Sequence, residues 1–172
     1  MQTPLSVLTA GLALQGLLLA CAPGEPQAQQ SGCLVGRIVD GDTFSCRDGR
    51  RVRLIGIDSP ERRQGAAAES ARKALAGLIP AGTLVRLQHD VRPTDRYGRL
   101  LAYVWVGPVF VNETMVRDGW AVLYTVPPNV RYAERFRRAQ EKARTRGAGL
   151  WEHDGFACLP DHFRRGACLS SP

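Results

Sequence analysis

The apolar positions of this chain fall into two periods. Between Val35 and Ile57 they alternate with polar residues: Val35 to Val39, Thr43 to Arg47 and Arg51 to Ile57 read as three strands, with Val52, Leu54 and Ile57 marking the third. Asp48-Gly49 predicts a two-residue type I′ hairpin turn between the second and third. Ala67 to Leu78 is rich in Ala, Leu and Lys and stops before Pro80 and Gly82, which predicts a helix. Thr83 to His89 alternates again, and Leu100 to Val106 is a continuous apolar strand ended by Gly107-Pro108. Val111 to Asp118 suits a short helix capped by Asn112 and closed by Gly119. From Val130 to Arg146 the period is 3.6: Tyr132, Ala133, Phe136, Ala139, Gln140 and Ala143 share one face, and Arg, Glu and Lys cover the other, which reads as a solvated surface. Five short strands, with a helix between the third and fourth, predict an α+β fold: a five-stranded OB barrel carrying about three helices.

Length and composition place this barrel in a larger chain. Of 172 residues, 44% are hydrophobic and 23% charged, enough for one domain with a core and terminal extensions. There are no internal repeats and no second domain. Leu5 to Ala22 carries no charge and ends in small residues, so 1–22 reads as an export signal. Ala20-Cys21-Ala22 has the form of an ordinary cleavage site, whereas Leu18-Leu19-Ala20-Cys21 resembles a lipobox that would lipidate Cys21 and anchor the protein to a membrane. The product would be periplasmic, envelope-anchored or secreted. Residues 23–33 read as a flexible linker, 34–153 as the domain, and 154–172 as a tail. Export leaves Cys33, Cys46, Cys158 and Cys168 in an oxidising compartment. Of the three connectivities, Cys33–Cys46 and Cys158–Cys168 are favoured: the first pair flanks a turn on neighbouring strands, the second brackets a short loop. Zinc fits poorly, since there is no C-x-x-C and His89, His153 and His162 lack ligand spacing.

The net charge of +7 and pI of about 9.6 suit an anionic partner, with nucleic acid the commonest. The chemistry concentrates between Val39 and Glu61. Asp40, Asp42, Asp58 and Glu61 sit at or beyond strand ends, with Arg53 on the strand between. When the hairpin folds back, Asp42 and Asp58 meet at one end of the sheet. Carboxylates brought together repel unless a cation joins them, so this is a candidate hard-metal site.

Four motifs then occur in order: D-G-D-T (Asp40–Thr43), R-L-I-G-I-D-S-P-E (Arg53–Glu61), T-D-R-Y-G-R (Thr94–Arg99) and N-E-T-M-V-R-D-G (Asn112–Gly119), followed by G-L-W (Gly149–Trp151). Together they resemble the thermonuclease family typified by staphylococcal nuclease, over about Val35 to Trp151. The resemblance implies a Ca²⁺-dependent, monomeric phosphodiesterase acting on DNA and RNA and leaving 3′-phosphate ends. It implies that Asp42, Asp58 and the backbone carbonyl of Ser59 hold Ca²⁺, with Asp40 supporting them. Glu61 would be the general base, Arg53 and Arg99 would grip the scissile phosphate, and Arg96, Tyr97 and Tyr124 would contact substrate. The sequence departs from the best-known member at Ser59, where threonine is usual, and after Glu61, where the loop Arg62–Gly65 is short and lacks a lysine-rich stretch. The rival readings are a non-catalytic OB-type nucleic-acid-binding module and an envelope lipoprotein that binds an anionic polymer.

Overall fold

The computed structural model describes residues 30–152 and 154–168. The export signal, Cys21 and most of the linker lie outside them. Among the described residues no helix is long and apolar enough to cross a membrane.

Strand β1 (Gln30–Ile38) is long because it serves two partners. Its first half pairs antiparallel with β5 (Leu84–Gln88), from Gln30↔Gln88 to Leu34↔Leu84. Its second half pairs with β2 (Thr43–Cys46) from Val35↔Cys46 to Ile38↔Phe44, with a register shift between Val35 and Arg37. Residues 30–33, expected at the end of the linker, are therefore strand. Of Ser31, Gly32 and Cys33, Cys33 alone is buried. The sheet continues through β3 (Arg51–Leu54) and β6 (Leu100–Val106), which pair parallel at Val52↔Leu100 and close a five-stranded barrel. A β7 stub (Val109–Phe110) folds back on β6.

The expected third strand is broken. Ile55 interrupts it, and β4 (Gly56–Asp58) leaves the barrel to pair with β8 (Val122–Tyr124). Gly56 makes the break possible: its φ is +80°, and a Cβ there would lie 2.5 Å from the ring of Phe136. The Asp48-Gly49 turn also differs from expectation. Only Gly49 takes a positive φ, so the turn is not type I′; Asp48 instead accepts the Arg50 N–H at 3.1 Å through Oδ1.

Helix α1 (Ala66–Leu78) buries Ala68, Ala71 and Leu75, one face at i, i+3, i+7. Helix α2 (Val111–Arg117) is almost wholly buried, and α3 (Ala133–Thr145) buries Phe136, Ala139 and Ala143. These apolar faces join Val35, Phe44, Val52, Leu54, Val85, Leu87 and Val104 in one core. Each large side chain so buried contributes about 1.5–3 kcal/mol. The other face of α3 is laced with ion pairs, including Arg137–Glu134 at 2.7 Å and Arg138–Glu134 at 2.9 Å, as a solvated surface should be. Asn112 does not cap α2, whose N-cap is Phe110. Both predicted disulfides are present, Cys33–Cys46 and Cys158–Cys168.

Candidate active site

The turn between β1 and β2 sets the first carboxylate. Val39 and Asp40 both donate their N–H to the Thr43 carbonyl, at 2.9 and 3.2 Å. Gly41 sits at the tip, where a Cβ would come within 2.7 Å of Ala71 and Ser59. Asp40 accepts the Asp42 N–H at 3.1 Å, which braces the turn. Asp42 then points inward, 5% exposed. Its Oδ1 accepts from Thr43 Oγ1 (3.0 Å) and pairs with Arg53 Nε (3.0 Å). Its Oδ2 accepts the Ser59 N–H (2.8 Å) and hydroxyl (2.9 Å).

The break at Gly56 sets the second carboxylate. β4 turns off the barrel and ends on Asp58, 1% exposed, beside Asp42. Arg53 spans the two: Nε holds Asp42, Nη2 holds Asp58 at 3.0 Å, and Nη1 donates to the carbonyls of Leu54 and of Ile57 (2.9 Å). Burial pushes the Asp58 carboxyl above its usual range; its arginine partners oppose that, and the Asp42 charge adds to it. Burial and the Asp42 charge also push Asp40 up, to about 6. Two carboxylates held together at this depth favour a positive charge between or beside them.

Glu61 follows at the mouth, where Gln64 Oε1 accepts its N–H at 2.8 Å. Glu61 meets a residue that sequence reasoning left without a role. Arg164 comes from α4 (Pro160–Arg164), inside the loop closed by Cys158–Cys168. Its Nη1 donates to Glu61 Oε1 (2.7 Å) and Asp58 Oδ1 (3.0 Å), and its Nη2 donates to Asp58 Oδ2 (2.8 Å). These hydrogen bonds raise the guanidinium's pKa, Asp58 first and Glu61 second, although burial opposes them. The signal available in the sequence was the pair of cysteines bracketing Arg164-Arg165.

The remaining expected residues, Arg96, Tyr97, Arg99 and Tyr124, line the same cleft of about 650 Å³. Arg99 does not reach the buried carboxylates. It is paired with Asp95 in its own loop, Nε to Oδ2 at 2.7 Å, and Asp95 also accepts the N–H groups of Tyr97 and Arg99. Burial pushes Asp95 up, but these donors outweigh it and leave the carboxyl below its usual range. Arg96 and Arg99 both lie against the Tyr97 ring, at 4.8 and 5.7 Å.

A family model described as staphylococcal nuclease homologue matches residues 51–153, and so takes in β3, β4, Glu61 and Arg99. The chain belongs to that family. It is 37% identical over 126 residues to a thermonuclease of Staphylococcus intermedius, covering 69% of this chain and 75% of the relative. It is 40% identical over 141 residues to Protein ParB of Escherichia coli, covering 75% and 76%. A third relative, endonuclease YncB of Bacillus subtilis, is 33% identical over 147 residues, covering 77% and 69%.

The family implies Ca²⁺, and the donor set of this member fits such a cation. Among the described residues no three His, Cys, Asp or Glu cluster as a metal-binding group. Two buried carboxylates do converge, with Ser59 following Asp58 directly in the chain. Hard oxygens of this kind suit Ca²⁺ rather than zinc or a soft metal. Both carboxylates already accept charged donors from Arg53. A cation on Asp58 would meet Arg164 there as well.

Proposed function

We propose that the protein is an exported, Ca²⁺-dependent nuclease that hydrolyses phosphodiester bonds of DNA and RNA by attack of water, leaving 3′-phosphate ends. As a family member with nuclease-named relatives, the protein is a phosphodiester-hydrolysing endonuclease. What supports the cation-dependent reading is the convergence of Asp42, Arg53, Asp58 and Glu61 in a cleft lined by both arginines and carboxylates. The two disulfides favour an oxidising compartment.

In this reading Asp42, Asp58 and the Ser59 carbonyl would hold the cation, which would supply Lewis-acid chemistry to a phosphate. Asp40 keeps the turn that aims Asp42. Glu61, at the mouth with its backbone N–H fixed by Gln64, takes the proton from the attacking water. Arg53, once a cation takes its place on Asp42 and Asp58, and Arg99 present planar forks to the phosphoryl oxygens, where charge grows as water attacks. Arg99 exchanges its Asp95 partner for phosphate, and Asp95 keeps it oriented until then. Arg96, Tyr97 and Tyr124 bind the flanking strand. The protein acts as a monomer.

The test is incubation of the purified protein with single-stranded DNA and RNA, in Ca²⁺ and in chelator, with analysis of the new ends. Cleavage only in Ca²⁺ with 3′-phosphate ends is expected. Binding without cleavage in Ca²⁺ would leave a non-catalytic module and sink the proposal.

A further inference from the structure

The C-terminal segment departs from a solvated tail in three respects. It is closed into a ring by Cys158–Cys168. It is fixed to the loop after Glu61, since Gln64 Nε2 donates to the Cys158 carbonyl at 2.8 Å while Gln64 Oε1 holds the Glu61 N–H. It packs on the body of the protein: Phe156 is buried with Val122 and Leu150, Leu159 lies against them, and Pro160 is buried. A ring tied down at both the backbone and the core presents its one inward arginine, Arg164, at a set place.

That place is the reaction centre. The Arg164 fork lies within 3.0 Å of both Asp58 oxygens and of Glu61, and its Cζ is 5.3 Å from the centre of the Tyr124 ring. The side chain is still 35% exposed, toward the cleft that holds Arg53, Arg99 and Tyr97. Two features argue that the pairing is temporary. A dication and a guanidinium on the same Asp58 carboxylate repel, so a cation held there weakens the Arg164–Asp58 bonds. A phosphate bound against Asp58 and Glu61 then offers a fork-matched anion within the side chain's reach. The 3₁₀ turn Arg62–Gln64 that follows Glu61 carries no lysine, and the ring brings a cation to its flank.

We infer that Arg164, delivered by the disulfide-closed ring, is a third substrate-binding guanidinium: it rests on Asp58 and Glu61 and passes to a backbone phosphate of the bound strand. This rests on the nuclease reading above. It makes the C-terminal ring part of the substrate site rather than a tail.

The test compares the wild type with Arg164→Ala and Arg164→Lys, with circular dichroism to confirm that each is folded. Initial rates on a single-stranded DNA oligonucleotide in Ca²⁺ are measured across a series of salt concentrations, and Ca²⁺ binding without DNA is measured by calorimetry. The expected result for Arg164→Ala is a raised KM and a slope of log kcat/KM against log salt shallower by about 0.7, one phosphate contact on a single strand. Ca²⁺ should bind it more tightly, because a competitor for Asp58 is gone. Arg164→Lys keeps the charge and loses the fork, so it should retain the wild-type salt slope with an intermediate KM. Opening the ring with Cys158→Ser and Cys168→Ser should move KM and slope as Arg164→Ala does. A salt slope unchanged in Arg164→Ala overturns the inference even if Ca²⁺ binding tightens. If instead the wild type fails to cleave at all, it is the nuclease reading that has failed.

Discussion

Asn112 donates its side-chain amide to the carbonyl of Ile55 at 2.9 Å, joining residues 57 apart in sequence. Ile55 is the residue at which the third strand breaks away from the barrel, so this bond fixes the departure that delivers Asp58. The Asn112 carbonyl oxygen also accepts the Val104 N–H at 2.8 Å, and the side chain is fully buried. Asn112→Ala would leave two buried backbone groups without these partners, each costing about 1–3 kcal/mol. Denaturant unfolding should show a loss of at least about 2 kcal/mol. Asn112→Asp should be no better, because a carboxylate cannot donate to Ile55.

Gly41 allows the Asp40–Thr43 turn to pack on Ser59 and α1. Gly41→Ala places a methyl 2.7 Å from the Cβ atoms of Ala71 and Ser59. Overpacking of that kind costs about 1–3 kcal/mol. Because Ser59 holds Asp42 through both its N–H and its hydroxyl, the strain falls on the carboxylate as well. Calorimetric Ca²⁺ titration should show weaker binding in this variant than in Ala148→Gly, a control remote from the cleft.

Glu134 at the start of α3 is lowered to about 2 by its hydrogen bonds to Arg137 and then Arg138. A carboxyl depressed in the folded state stabilises above its ordinary pKa, and that contribution is lost as pH falls from about 4.5 toward 2. The group is on the surface, so solvent and salt screen it. The Tm difference between wild type and Glu134→Gln should therefore be small and positive at pH 6 and shrink as pH falls through this window. It should also shrink in 1 M salt, where the Debye length is about 3 Å.

Much of this site could be read from the sequence because its parts lie on simple local patterns. Alternation put Arg53 on a strand between two turns, and turn chemistry put Asp42 and Asp58 at strand ends. The Cys33–Cys46 pairing followed from which strands are neighbours, and Cys158–Cys168 from the short loop the two cysteines bracket. What escaped depends on contacts between distant segments. Asn112 reads locally as a helix cap, yet the barrel claims its amide for Ile55 and Val104. Gly56 reads as a residue within a strand, yet the ring of Phe136 and a positive φ make it the branch point of β3 and β4. Polar Gln30 and Ser31 look like linker until β5 is seen to offer them partners. Arg164 stands about 100 residues from Glu61 in sequence, and no periodicity links them; only the Cys158–Cys168 ring, docked through Gln64, brings the two together.

In the proposed reaction Glu61 takes a proton from the attacking water beside Asp42 and Asp58, which would hold a cation, and Glu61→Gln tests that role most directly. Glutamine keeps the size of the side chain and an acceptor for Arg164 but cannot take a proton at neutral pH. Single-turnover cleavage of a labelled single-stranded DNA in saturating Ca²⁺ should slow by at least about a hundredfold, the scale of a lost general base. DNA binding by the same variant should stay within about threefold of wild type, since no phosphate-gripping arginine is removed. A Glu61→Gln protein that cleaves at the wild-type rate would contradict the account.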